Sequence, residues 1–160
     1  MAEKYELMVE RMLDATPARL WQAWTDPERI KRWWCPRPFE TPECEIELRS
    51  GGRFYTHMTG PDFDFKGTAC ILEAVPGERI VWTSALDGGY APKEFPGDGS
   101  LGFPFTAIHS FEDKSDGTTR YTARALHRNA ADRDAHAVMG FEHGWGVCAE
   151  QMAEVARSLG

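Results

Sequence analysis

The sequence predicts an α+β domain: a curved antiparallel sheet of about seven strands wrapped around a long C-terminal helix, with two short helices after the first strand. Three observations predict it. Runs of alternating polarity follow one another from residue 44 to residue 127, separated by Gly, Pro and Asp turns. Trp145, Cys148, Met152, Val155 and Leu159 form one apolar stripe at helical spacing, with Glu150, Glu154 and Arg157 on the other side. Thr16-Pro17 and Asp26-Pro27 each pair an N-cap residue with proline at the first helical position.

The elements follow in order. Residues 4–13 read as a strand with Leu7, Val9, Arg11 and Leu13 on one face and Met8, Glu10, Met12 and Asp14 on the other. Arg11 is out of place on the apolar face and needs a carboxylate or carbonyl partner. Short helices then run over 17–24 and 27–34, and Cys35-Pro36-Arg37-Pro38 stops the second, since proline cannot continue a helix. Cys44, Ile46 and Leu48 alternate with Glu45, Glu47 and Arg49, and Gly51-Gly52 turns this strand into 53–59, where Phe54, Thr56 and Met58 alternate with Tyr55 and His57. The acidic face of Glu43, Glu45 and Glu47 is expected to be solvated. Gly60-Pro61-Asp62 leads to a strand over 65–74, and Pro76-Gly77 to 79–84, with Ile80 and Trp82 sharing a face.

Residues 87–102 are too rich in Gly and Pro for a regular element and are expected to form a functional or mobile loop, a gate for whatever the sheet encloses. Strands over 105–111 and 118–127, joined by the polar turn 113–117, complete the sheet. Asn129 with Asp132 caps a helix expected to run to Leu159. Gly140, Gly144 and Gly146 mark a kink in it, or a place where backbone lies close to something bulky.

The 160 residues read as a single domain, 1–160, and a chain of this size buries roughly 70% of its unfolded surface. The net charge of −7 argues against a sequence-independent nucleic-acid binder and disfavours an electrostatic membrane-surface role. No apolar run is long enough to cross a membrane, and the first residues lack a signal-peptide pattern, so a soluble, cytoplasmic protein is expected. Cys35, Cys44, Cys70 and Cys148 show no metal-site spacing and read as reduced thiols. His136 and His143, seven apart on one predicted helix, share a face, but two helical turns span about 10 Å, too far for one ion. No metal and no cofactor is expected.

The ordered set Trp21-Gln22-Ala23-Trp24-Thr25-Asp26-Pro27-Glu28, Arg32-Trp33-Trp34-Cys35-Pro36, Leu48-Arg49-Ser50-Gly51-Gly52-Arg53-Phe54, Pro76-Gly77-Glu78-Arg79-Ile80-Val81-Trp82-Thr83, Gly117-Thr118-Thr119-Arg120-Tyr121 and Gly144-Trp145-Gly146 resembles the heat-shock-protein ATPase activator homologue (AHSA-like) family. That family belongs to the START/SRPBCC, or helix-grip, superfamily. The resemblance covers nearly the whole chain and implies a β-α-α-β-β-β-β-β-β-α fold with a cavity between the sheet and the last helix. The superfamily holds lipid carriers, receptors, ring-closing enzymes and chaperone regulators, so the resemblance does not fix a function.

Within that fold His109 shares the parity of Phe105, Ala107 and Phe111. There it either contacts a ligand and moves protons, or is a core histidine satisfied by a polar neighbour. Tyr121 lies two positions from Ala123 and four from Ala125, a polar-tipped ring beside small residues, which suits a pocket or packing against the long helix. Trp33 and Trp34 read as structural plugs beneath the short helices. The candidate ligand-binding residues are Phe54, Thr56, Met58, Trp82, His109, Tyr121, Trp145 and Met152, and the catalytic candidates are His109 and Tyr121.

The leading expectation is a binding protein for a small apolar or aromatic molecule. The alternatives are a polyketide cyclase- or hydrolase-like enzyme, and a chaperone ATPase activator-like protein as the family name suggests. Self-association as a homodimer through sheet edges, or through Phe95 and Phe103 as exposed aromatics, is a further expectation.

Overall fold

The computed structural model of the chain describes residues 5–95 and 102–159. In chain order the elements are β1 (Glu6–Leu13), α1 (Pro17–Gln22), α2 (Pro27–Ile30), β2 (Glu40–Ile46), β3 (Arg53–Gly60), β4 (Phe63–Val75), β5 (Arg79–Thr83), β6 (Leu86–Asp87), β7 (Ala91–Pro92), β8 (Phe105–Asp113), β9 (Thr119–His127), α3 (Ala130–Val138) and α4 (Phe141–Ser158). Seven strands form one antiparallel sheet in the order β1-β9-β8-β5-β4-β3-β2. The first strand joins the end of the hairpin series beside the last one, as un-knotted hairpin connections require.

Register turns the alternation in sequence into a face. Leu7, Ala125, Ala107, Trp82 and Ile71 lie in one rung across β1, β9, β8, β5 and β4, and Val9, Ala123, His109 and Ile80 form the next. Directly opposed residues point the same way, so all of these share the concave face. Met152, Ala153 and Ala156 on α4 are fully buried there, as are Leu13, Leu20, Ile30, Ile71 and Ile80. The outward face of the edge strand β1 leaves Met8 and Met12 exposed.

The caps work as their residue types require. Thr16 accepts a hydrogen bond from Arg19 N, Asp26 from Glu28 N and Asn129 from Asp132 N. Both short helices end earlier than expected, at Gln22 and Ile30, each followed by turns. Arg11 finds the carbonyl it needs, since its guanidinium donates to Glu10 O.

Three expectations are corrected. The last helix is two helices: Gly140 adopts φ 92°, a left-handed conformation that ends α3 and starts α4 in a new direction. The glycine-rich stretch after residue 86 is not wholly irregular, because β6 and β7 pair around a single 3₁₀ turn. Its described part packs on the outer face of the sheet: Lys93 Nζ donates to Thr68 O, Gly89 N to Gly51 O, and the Tyr90 ring covers Gly51. That is not the position of a gate to the concave side; residues 96–101 lie outside the described residues. Finally, Phe95 and Phe103 are half-buried rather than exposed. Phe103 packs on Phe105, His127 and His136.

Candidate functional site

The concave face gathers aromatic rings around one imidazole. His109, on β8, is 3% exposed. Its ring lies 4.9 Å from that of Trp24, in the turn after α1, and 6.1 Å from that of Trp82 on β5. Tyr121 from β9 lies 6.0 Å from it, and Trp145 from α4 stacks on it at 5.9 Å with the planes 9° apart. Beneath them the sheet supplies only methyl groups at Ala107, Ala123 and Ala125, all fully buried. The small residues that alternate with Tyr121 thus pack beneath the ring cluster.

The hydrogen bonds fix the chemistry of His109. Trp82 Nε1–H donates to His109 Nε2 at 3.0 Å, and His109 Nδ1 lies 2.7 Å from the Tyr121 hydroxyl. An indole N–H can only donate, so Nε2 must be the bare nitrogen and Nδ1 carries the proton. Nδ1–H then donates to Tyr121 Oη. Burial agrees with this neutral form, pushing the imidazole down to about 3 and the Tyr121 phenol well above its usual range. Both ring nitrogens are engaged, so the imidazole holds the Tyr121 hydroxyl in place.

Of the remaining sequence candidates, Phe54 and Met152 belong to the same buried core, whereas Met58 lies outside it. Phe54 is buried and touches Trp24, Trp34 and Trp82 through ring edges. Thr56 is buried one alternation further along β3, Met58 is half-buried, and Met152 is fully buried beneath α4. Trp33 and Trp34 contact Trp24 edge-on, so the expected plug is continuous with the wall around His109. Trp145 and Phe105 are only half-buried, which puts the solvent side of the cluster between α3, α4 and the start of β8.

A second buried pair lies on that side. His127 Nδ1 donates to Tyr5 O at 2.8 Å, leaving its Nε2 to accept from His136 Nδ1–H at 2.9 Å. Burial, and then the neighbouring His127, lower the His136 imidazole to about 4. This pairing replaces the expected common face of His136 and His143, because Gly140 separates the two helices and His143 is exposed. Among the described residues no group of three or more metal-ligating side chains occurs.

The described residues also form a solvent-open hollow of about 510 Å³ lined by Lys31, Glu43, Cys44, Glu45, Arg53 and Tyr55. Its charges are already matched within the protein: Lys31 with Glu28, Arg53 with Glu45, and the Tyr55 hydroxyl with Glu43. The acidic strand face is therefore exposed but paired, and it makes no demand for a ligand.

Sequence reasoning missed Trp24 and Gln151. Trp24 is fully buried, and its Nε1–H has no hydrogen-bond partner among the described residues. Gln151 sits buried on the apolar side of α4, where its Nε2 donates to Trp33 O and Cys35 O and its Oε1 accepts from Arg37 N. The signal for Gln151 was available as a polar residue adjoining Met152 in the stripe; Trp24 was hidden in a motif shared by four aromatic residues.

A family model described as activator of Hsp90 ATPase homolog 1-like protein matches residues 14–157. A crystal structure of a Nitrosomonas europaea protein is 35% identical, with TM-score 0.86, covering 96% of this chain and 95% of that one. An Arthrobacter aurescens solution structure at 24% identity and TM-score 0.77, covering 99% and 89%, shares the fold. So does a Mycobacterium smegmatis crystal structure at 22% and 0.73, covering 99% and 92%. No curated protein matches the chain. With the helix-grip topology, the tryptophan-lined concave face and a family match over nearly the whole sequence in agreement, the chain belongs to the Hsp90 ATPase activator homologue 1-like family.

Proposed function

We propose that the protein binds a small, largely apolar or aromatic molecule between α4 and the concave face of the sheet. The observation that carries this reading is the cluster around His109: an alanine floor walled by Trp24, Trp82, Trp145 and Tyr121 and reached past half-buried rings. Aromatic walls with a few fixed polar groups are the usual make-up of a small-molecule site. Rotation of the half-buried Trp145 makes room for a planar guest over Ala107 and Ala125. Phe54, Thr56 and Met152 extend the lining.

Binding is favoured over acid–base catalysis by the same geometry. His109 has no free nitrogen, and its imidazole titrates near 3 while the Tyr121 phenol titrates far above neutrality. A general acid or base works best with a pKa near the working pH. Action on a chaperone ATPase is a second reading, supported by the description of the matching family. Saturating protein should then stimulate the ATPase of a purified Hsp90-type chaperone, and an unchanged rate removes that reading.

The direct test is titration with planar two-ring compounds such as naphthalene. Saturable quenching of tryptophan emission is expected, with a rise in melting temperature that follows occupancy. Absence of both effects across a panel of apolar compounds of one to four rings would refute the proposal.

A further inference from the structure

Two buried donors beside His109 are unspent. The first is Trp24 Nε1–H, in a fully buried side chain whose ring lies 4.9 Å from the imidazole, with no partner among the described residues. The second is the Tyr121 hydroxyl proton. Because the Trp82 indole forces His109 to protonate at Nδ1, the Tyr121 oxygen is the acceptor in their 2.7 Å bond. Its own hydrogen has no other hydrogen-bond acceptor among the described residues. A buried donor without an acceptor costs about 1–3 kcal/mol, and two around one ring are a structural demand for an acceptor.

The surroundings decide what kind. His109 is neutral and has no lone pair to offer. Among the described strand residues the cation on the concave face is Arg11, with its guanidinium against Gly146 of α4 and bonded to Glu10 O, on the edge strand. A carboxylate or phosphate placed beside His109 would be desolvated without a counter-charge, and an ammonium would face donors only. A neutral carbonyl oxygen, with two lone pairs and no proton of its own, suits donors of this kind and brings no buried charge.

We infer that the ligand is a neutral apolar molecule carrying a carbonyl acceptor, a cyclic ketone, quinone or ester in class, whose oxygen is held by Tyr121 Oη–H with Trp24 Nε1–H beside it. The inference rests on the binding site proposed above and adds its polarity. His109 and Trp82 act as positioning residues, since they fix which way the tyrosine hydroxyl donates.

The test compares 1-tetralone with tetralin, which differ by the carbonyl, by calorimetry on the wild type, Tyr121→Phe and Trp24→Phe. The wild type is expected to bind the ketone at least as tightly as the hydrocarbon, despite the ketone's better hydration. Tyr121→Phe should weaken 1-tetralone by about fivefold or more while tetralin stays within twofold. Trp24→Phe should lower the ketone-to-hydrocarbon affinity ratio in the same direction, and the ratio cancels the loss of ring size. In the infrared, the bound carbonyl stretch should lie below its value in hydrocarbon solvent and return towards it in Tyr121→Phe. If both compounds bind and Tyr121→Phe leaves their ratio and the stretch unchanged, the carbonyl inference is wrong and the binding reading stands. If neither binds up to millimolar concentration, both are wrong.

Discussion

His109 and Gln151 show how a buried polar side chain acquires its role from partners distant in sequence. The alternation of β8 placed His109 on the inner face, and there the reading from residues left two outcomes, ligand contact or internal satisfaction. The Trp82 indole and Tyr121 hydroxyl decide the tautomer, and they come from β5 and β9. Gln151 was passed over because a glutamine on a helix is usually solvated, yet it ties α4 to three backbone groups of the Trp33–Arg37 stretch. Gln151→Leu keeps the volume and leaves Trp33 O, Cys35 O and Arg37 N without that partner. The expected loss is about 3 kcal/mol, or roughly 6–12 °C in melting temperature for a domain of this size. A shift under 2 °C in thermal unfolding would show that water replaces the amide at no cost.

At the scale of elements, the glycine cluster in the C-terminal region divides into different physical cases. Gly140 is needed for its backbone: φ 92° lies where an L-residue is strained, with open space around the position of a Cβ. Gly140→Ala should destabilise by about 1 kcal/mol. Gly146 is a space case inside α4, where a Cβ would meet the Arg11 guanidinium, the far end of a flexible side chain. Arg11 can swing towards solvent, and alanine gains up to about 1 kcal/mol over glycine in helix propensity. Gly146→Ala should therefore be neutral to stabilising. Urea titration should lower the midpoint for Gly140→Ala and leave it unchanged or raised for Gly146→Ala, and equal losses would mean that α4 has no slack at Arg11. The sequence pattern located the cluster correctly but could not separate these cases, because both write the same letter.

Over the whole molecule, the buried imidazoles make stability depend on pH. Burial lowers His109 to about 3 and His136 to about 4, whereas both titrate near 6.5 in the unfolded chain. Below about pH 6.5 the unfolded chain therefore binds more protons than the folded one. The stability from keeping these rings neutral is complete above that pH and is lost on acidification towards the folded values. The slope is at most about 1.4 kcal/mol per pH unit for each ring. Urea midpoints should be flat from pH 8 to 7 and fall between pH 6.5 and 5, with His136→Gln removing part of the fall. A midpoint independent of pH across that window would contradict the buried, neutral pair.

The strand alternation, the proline-marked helix starts and the C-terminal stripe were determined by the sequence itself, because period and capping are local properties of neighbouring residues. They carried the sheet, its inner face, the family resemblance and most of the residues around His109. What only the tertiary structure decided was pairing: the packing of β6 and β7 on the outer face, the break at Gly140, the His127–His136 bond and the unspent donors of Trp24 and Tyr121. A hydrogen bond joins groups by distance in space, and 12 to 118 residues separate the partners that set His109 and Gln151. No periodicity in the chain records that proximity; it exists once the sheet has curled and α4 has closed over it.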